Sequence, residues 1–317
     1  MLLPFRNLLS VCTALIVACA FISGIPRQAF GAERAVAPAG ATDRCRAPRL
    51  LHCGGKTIIE TRNLRIYGLG AGPDDLRWAS EFERLRTALF EKWLGDVCPA
   101  VWSPKCDLVL HATVATYAQA VGSDHACTAG CSSLETAAGR VVRRRIDIRA
   151  DRPGWLMGAL AHELTHVVLA DEFVATGVPL WADEGMAVLA DPEAKQDLHL
   201  RDLGRARQRG RSLRLAELLA ENGVPTREQM PAFYGQSLSL VKYLVDRKTP
   251  ADFVGFLHRA QRVGYDAALR DCYGLGGVAE LERQWEQASC LATAHKAFCE
   301  TDRVLHTARR VALAKQP

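Results

Sequence analysis

The chain has 317 residues, 49% hydrophobic and 24% charged, which is the composition of an ordinary globular protein with room for one large domain or two lobes. Its formal net charge is +5, and two of the positive charges, Arg6 and Arg27, lie in a segment expected to be removed. What remains is too weak to argue for a nucleic-acid partner, so none is expected.

Residues 1–31 read as an export signal. Arg6 gives a short positive start, Leu8 to Ile22 is almost wholly apolar, and Pro26 ends the run. Ala29-Phe30-Gly31-Ala32 offers small residues for cleavage. The apolar run is short for a bilayer, which needs about 20 residues, and nothing downstream is long enough. The mature chain is therefore expected to have no membrane span and to be secreted, periplasmic or held at the cell surface. An uncleaved anchor, or lipid attachment at Cys19 after Ile16-Val17-Ala18, is the alternative.

Cys12 and Cys19 fall in the signal, and nine cysteines remain. Eight are near neighbours that could close small loops in an oxidising compartment. The expected pairs are Cys45–Cys53, Cys98–Cys106, Cys127–Cys131 and Cys290–Cys299, with Cys272 free. His125 with Cys127 and Cys131 could instead hold a metal, although no fourth ligand is evident.

Residues 32–54 form an Ala-, Pro- and Arg-rich lead-in. Thr57 to Tyr67 alternates and carries β-branched residues, which predicts one strand. Gly68 to Pro73 is a loop, because Pro73 and Asp74 break any dinucleotide fingerprint. Asp74 to Leu94 has helical spacing, with Leu76, Phe82, Leu85, Leu89, Phe90 and Trp93 as the buried stripe. Cys106 to Ala112 reads as a strand and Val114 to Val121 as a short helix. Leu134 to Ile148 reads as a hairpin turning near Gly139, with Arg140 to Ile148 an edge strand. On it, Arg143-Arg144-Arg145 either favours acidic substrates or blocks aggregation.

From Gly154 onward the pattern is helical: Trp155 to Phe173, Trp181 to Ala190, then 193–209, 213–221, 231–247, 250–263, 265–272 and 277–294. The Arg-dense stretch from Arg205 to Arg214 reads as a solvated face rather than a site for an acidic partner. Residues 296–317 are a basic tail. The sum is an α+β arrangement, a small mixed or antiparallel sheet lobe over 55–152 followed by a mainly helical lobe over 153–295.

Chemistry concentrates in His162-Glu163-Leu164-Thr165-His166. Positions i and i+4 share one helix face, so both imidazoles can reach one ion, and neutral imidazole suits zinc. Glu163 sits about 100° further round the axis, beside the metal without ligating it, where it can take a proton from a bound water. Leu160, Leu164, Val167 and Val168 make the opposite, apolar face. Two ordinary histidines on a surface helix are the bland alternative, so context has to decide. A catalytic zinc needs a third protein ligand. Thirteen residues after His166, the segment Pro179-Leu-Trp181-Ala-Asp183-Glu184-Gly185-Met-Ala187 supplies Glu184, with Asp183 as a rival ligand or a dipole-stabilising residue. Small Gly185 and Ala187 allow close helix approach.

These two segments together resemble the gluzincin metallopeptidases, nearest to the group called peptidase MA-like and akin to the metallo-aminopeptidases with Trp-x-x-Glu-Gly. The resemblance spans about residues 55–295, with its specific motifs in 162–187 and 233–244. It implies a zincin-like fold, a zinc cofactor bound by His162, His166 and Glu184, Glu163 as general base, and a peptide or protein substrate. Phe233-Tyr234-Gly235-Gln236-Ser237 resembles the family's tyrosine-bearing helix, which makes Tyr234 the candidate donor to the oxyanion. The chain departs from the thermolysin pattern at Val188, where that pattern has an Asp four residues after the ligand glutamate. The carboxylate orienting the histidines is thus unassigned, with Asp171 and Asp183 as candidates. It also lacks the Gly-x-Met-Glu-Asn stretch with which aminopeptidases hold a free N-terminus. An inactive binding protein that keeps the peptidase fold, or a zinc amidase acting on cell-wall material, are the rival functions.

Overall fold

A computed structural model describes residues 47–95, 100–122, 125–152, 154–220, 223 and 225–289. The expected signal, most of the lead-in, Cys45, Cys98, Cys290, Cys299 and the basic tail lie outside the described residues. The chain divides into two compact units, and the first holds the described residues up to Val178 with Ala190–Pro192.

That first unit begins with β1 (Arg49–Cys53), β2 (Lys56–Glu60) and β3 (Leu64–Tyr67), followed by α1 (Pro73–Leu94). Next come β4 (Cys106–His111), α2 (Val114–Val121), β5 (Gly130–Ala137), β6 (Arg140–Arg149) and α3 (Trp155–Leu169). The six strands form one mixed sheet in the order β1-β2-β3-β4-β6-β5. β3, β4 and β6 run parallel to their neighbours among themselves, and the hairpin pairs at either side are antiparallel.

Two strand expectations are corrected. The end of the lead-in is a strand, β1, paired with β2 from Arg49↔Glu60 to Cys53↔Lys56. The single strand expected over 57–67 is two antiparallel strands, because the chain reverses at 61–63. The reversal is stabilised by a buried carboxylate: Glu83 on α1 accepts from the Thr61 hydroxyl (2.5 Å), the Asn63 backbone N–H (2.6 Å) and the Asn63 amide (2.8 Å). A long-range acceptor of this kind leaves no mark in local alternation. The hairpin near Gly139 is as expected, with Ala138 and Gly139 at positive φ.

The sheet's inner face packs on α1 and α3. Ile66, Leu108, Ile146 and Ile148 meet Phe82 and Leu89 of α1 and Leu160, Leu164, Val167 and Val168 of α3 in one core cluster. Of the expected stripe of α1, Phe82, Leu89 and Trp93 are buried and Leu76, Leu85 and Phe90 half-buried, while Ala79, Glu83 and Arg86 are buried as well. α3, in contrast, is not amphipathic: every residue from Ala159 to Leu169 is buried. A helix buried on all sides that carries His162, Glu163, Thr165 and His166 has given these polar groups interior positions, which is tolerable only where they are partnered or used.

The arginine run is also settled by the pairing. β6 is an interior strand, flanked by β4 and β5, so the edge is β5 and not β6. Arg144 points into the core, buried, donating to Pro104 O at 2.8 Å and pairing with Asp171, while its guanidinium lies 5.3 Å from the Trp102 ring. Arg145 grips Asp147 at 2.6 and 2.7 Å, and Arg143 pairs with Glu135 at 2.8 Å. All three side chains are engaged within the unit.

The second unit is helical: α4 (Leu180–Val188), α5 (Glu193–Gln208), α6 (Leu215–Ala220), α7 (Met230–Asp246), α8 (Pro250–Val263), α9 (Tyr265–Tyr273) and a further helix over 278–289. α7 is its centre, packed by α4, α5 and α8. Gly185 of α4 makes the first contact possible, since a Cβ there would lie 2.4 Å from Val241 Cγ2 and 2.5 Å from Ser237 O. Gly235 does the same against α5, where a Cβ would lie 2.5 Å from His199 O. Thr249 and Asp252 close a capping box on α8. The described residues form an α+β fold, a mixed sheet followed by a mostly helical region.

Candidate metal centre

His162 and His166 stand one turn apart on α3, both buried, with ring centroids 5.1 Å apart at an edge-to-face angle of 73°. Glu163 lies between them in sequence. Its Oε2 is a buried oxygen with no hydrogen-bond partner. Its other flank is closed by β5: a Cβ on Gly130 would fall 2.8 Å from Glu163 Cγ and 2.9 Å from Oε1. The carboxylate therefore sits directly under the start of the edge strand, with room made by a missing side chain. Thr165, the remaining polar residue of the motif, is satisfied by Ala161 O at 2.8 Å.

The start of β5 is itself anchored. The Tyr117 hydroxyl of α2 hydrogen-bonds with Thr128 Oγ1, and Thr128 donates to His125 O at 2.9 Å. Burial pushes the Tyr117 phenol well above its ordinary range, with the Glu163 carboxylate adding to the effect, so it stays a protonated donor. Behind it, His111 Nε2 lies 2.7 Å from Asp147 Oδ1, a buried pair across β4 and β6.

Cysteine pairing differs from expectation here. Cys127 is a free, exposed thiol, so the loop expected between Cys127 and Cys131 is not closed. Cys131 is committed to β5 opposite Asp147, and Cys127 stays on the turn before the strand. Cys106 is buried within β4, and burial pushes its thiol far above the usual range.

The carboxylate facing His162 is one that sequence reasoning missed. Asp191 Oδ2 lies 3.2 Å from His162 Nδ1, and both side chains are buried. Asp171, a candidate for that place, is half-exposed and serves Arg144 instead. Asp183 is buried in the first turn of α4. The only sequence signal for Asp191 is its position before Pro192, where α4 has to stop. Nothing local marks it as reaching back to α3.

Glu184 is buried on α4, as is every residue from Trp181 to Val188. Trp181 fixes the start of this helix, donating to the Tyr265 hydroxyl at 2.9 Å with its ring edge-on to Phe253. Tyr234 is buried in α7, its ring 5.5 Å from that of His199. His162, His166 and Glu184 form a candidate three-ligand metal group, all three buried.

Two imidazoles and one carboxylate are a donor set that suits zinc. The Peptidase MA superfamily model matches residues 137–291. Over that stretch the chain is similar to the Peptidase MA superfamily, consistent with a gluzincin-like peptidase. The matched stretch runs from the end of β5 to the end of the described helices and includes α3, α4 and α7 whole. Proteins of this superfamily are generally zinc-dependent. No curated protein matches the chain. Among the described residues, no helix is long and apolar enough to cross a membrane.

Proposed function

We propose that the chain is an exported zinc metallopeptidase, in which His162, His166 and Glu184 hold the ion and Glu163 is the general base. The observation that carries this reading is Glu163: a buried carboxylate on the histidine-bearing helix, with Oε2 unpartnered and its other flank shaped by Gly130. A purely structural carboxylate in such a place would be expected to have its oxygens engaged, as those of Glu83 are.

A bound zinc would polarise the scissile carbonyl and lower the pKa of a water molecule. Glu163 removes the proton from that water and passes it to the leaving amine. Tyr234 is the proposed donor to the oxyanion, supported by the packing of its helix on the Glu184 helix. β5, at the edge of the sheet, is the strand proposed to pair with an extended peptide. Export rests on the character of residues 1–31.

The test is cleavage of a mixed peptide library by zinc-loaded protein lacking residues 1–31, with Glu163→Gln protein alongside. Cleavage by the unmodified protein only, with zinc retained by both, is the expected result. A Glu163→Gln variant with full activity would sink the mechanism. One zinc per chain with no cleavage by either protein would favour a binding protein that keeps the fold.

A further inference from the structure

Pro192 and Asp191 seat themselves on one face of α3. A Cβ on Gly158 would lie 3.2 Å from Pro192 Cγ and 3.3 Å from Cδ, so the proline ring rests against a bare stretch of helix backbone. Gly158 and His162 are four residues apart, hence on the same face. The next residue back from the proline, Asp191, meets His162 Nδ1 at 3.2 Å, and Ala190 packs against the same core cluster. Residues 190–192 thus form a short clip, counted with the first compact unit although α4 before it and α5 after it are not.

We propose that Asp191 is the positioning residue of the metal centre, holding His162 as the Nδ1–H tautomer so that Nε2 is presented to the ion. The inference rests on the metallopeptidase reading. An ionised carboxylate can only accept a hydrogen bond, so the ring nitrogen facing it must carry the proton. The other nitrogen then keeps its lone pair. With Asp191 fully buried and His162 nearly so, neither group has bulk water as a competing partner. The clip makes this arrangement stiff: Pro192 limits the backbone at Asp191, and its seat on Gly158 sets the height of the carboxylate along α3. Val188 stands where a helical carboxylate four residues after Glu184 would be, and the clip moves that carboxylate to the seventh position, outside the helix.

Two measurements on the full chain test this. In metal-free protein at about pH 8.5, where an unperturbed imidazole is neutral, long-range proton–nitrogen spectra report the tautomer of His162. The expected signal is Nδ1–H in the unmodified protein. Asp191→Ala should mix it with Nε2–H. Asp191→Asn keeps the volume, and its amide can present either oxygen or NH2, so it should also lose the fixed tautomer while folding normally by circular dichroism and urea midpoint. Zinc affinity, measured by chelator competition, should fall about 10- to 100-fold in both variants. Asp171→Ala should change neither readout. An Nε2–H tautomer in the unmodified protein, or variants with unchanged tautomer and zinc affinity, would overturn the proposal. Failure of the unmodified protein to bind zinc, with the tautomer still following Asp191, would instead sink the metallopeptidase reading and leave Asp191 as the group that orients His162.

Discussion

Glu163 occupies a space bounded on one side by a residue that has no side chain. Gly130 has ordinary strand geometry, so its identity is a matter of volume and not of backbone freedom. Gly130→Ala would push a methyl group within 2.9 Å of the Glu163 carboxylate and of Ile148 Cδ1. The carboxylate is the movable partner, so catalysis should suffer more than folding. We expect a loss of about 1–2 kcal/mol in urea unfolding, with kcat/KM down by about tenfold or more. Unchanged activity at equal zinc content would show that Glu163 tolerates the displacement. The thiols offer a check on burial in the same region. Cys127 is exposed and Cys106 is buried, with its thiol pushed up by desolvation. Brief maleimide treatment of the native protein should label Cys127 and spare Cys106, read by peptide mass. Equal labelling would contradict the interior placement of β4.

At the scale of elements, the helices were the legible part of this chain. Local spacing marks α1, α2, α5, α7, α8 and α9 within a residue or two, because a helical stripe repeats with its own period. Strands were legible as segments and much less so as a sheet. The Thr57–Tyr67 run has the composition of one strand, and what divides it is a carboxylate from α1. The Arg140–Arg149 run looks like an edge because it carries three arginines in a row, yet Arg144 has Pro104 O, Asp171 and Trp102 to receive it. Small residues in α4 read as a signal of close approach to the histidine-bearing helix, and the close contact Gly185 makes is with α7. Gly185→Ala would bring a methyl group to 2.5 Å from Ser237 O, a backbone atom that cannot step aside alone. We expect a loss of about 1–3 kcal/mol in urea unfolding with an unchanged slope, and a midpoint within error of the unmodified protein would refute the packing.

For the whole molecule, the proposed zinc joins residues from segments far apart in sequence, so metal binding should be felt as stability of the entire fold. Zinc at a hundred times its Kd should stabilise by about 2.7 kcal/mol, visible as a rise in Tm that a chelator reverses. Glu184→Ala should remove most of that rise and Glu163→Gln should leave it. A rise of equal size in Glu184→Ala would deny Glu184 its place in the ligand set. Sequence alone placed His162, Glu163 and His166 on one helix, whose period dictates which side chains share a face. It also determined the α+β class and most helix boundaries, which depend on patterns within a dozen residues, although α3 ends at Leu169, short of the expected Phe173. Tertiary structure alone decided which strand lies at the edge, why residue 130 has no side chain, and which carboxylate faces His162. Those outcomes depend on atoms brought together across 29 residues (His162 with Asp191), 33 residues (Gly130 with Glu163) and 38 residues (Cys106 of β4 with Arg144 of β6), and no local periodicity records where the chain will return.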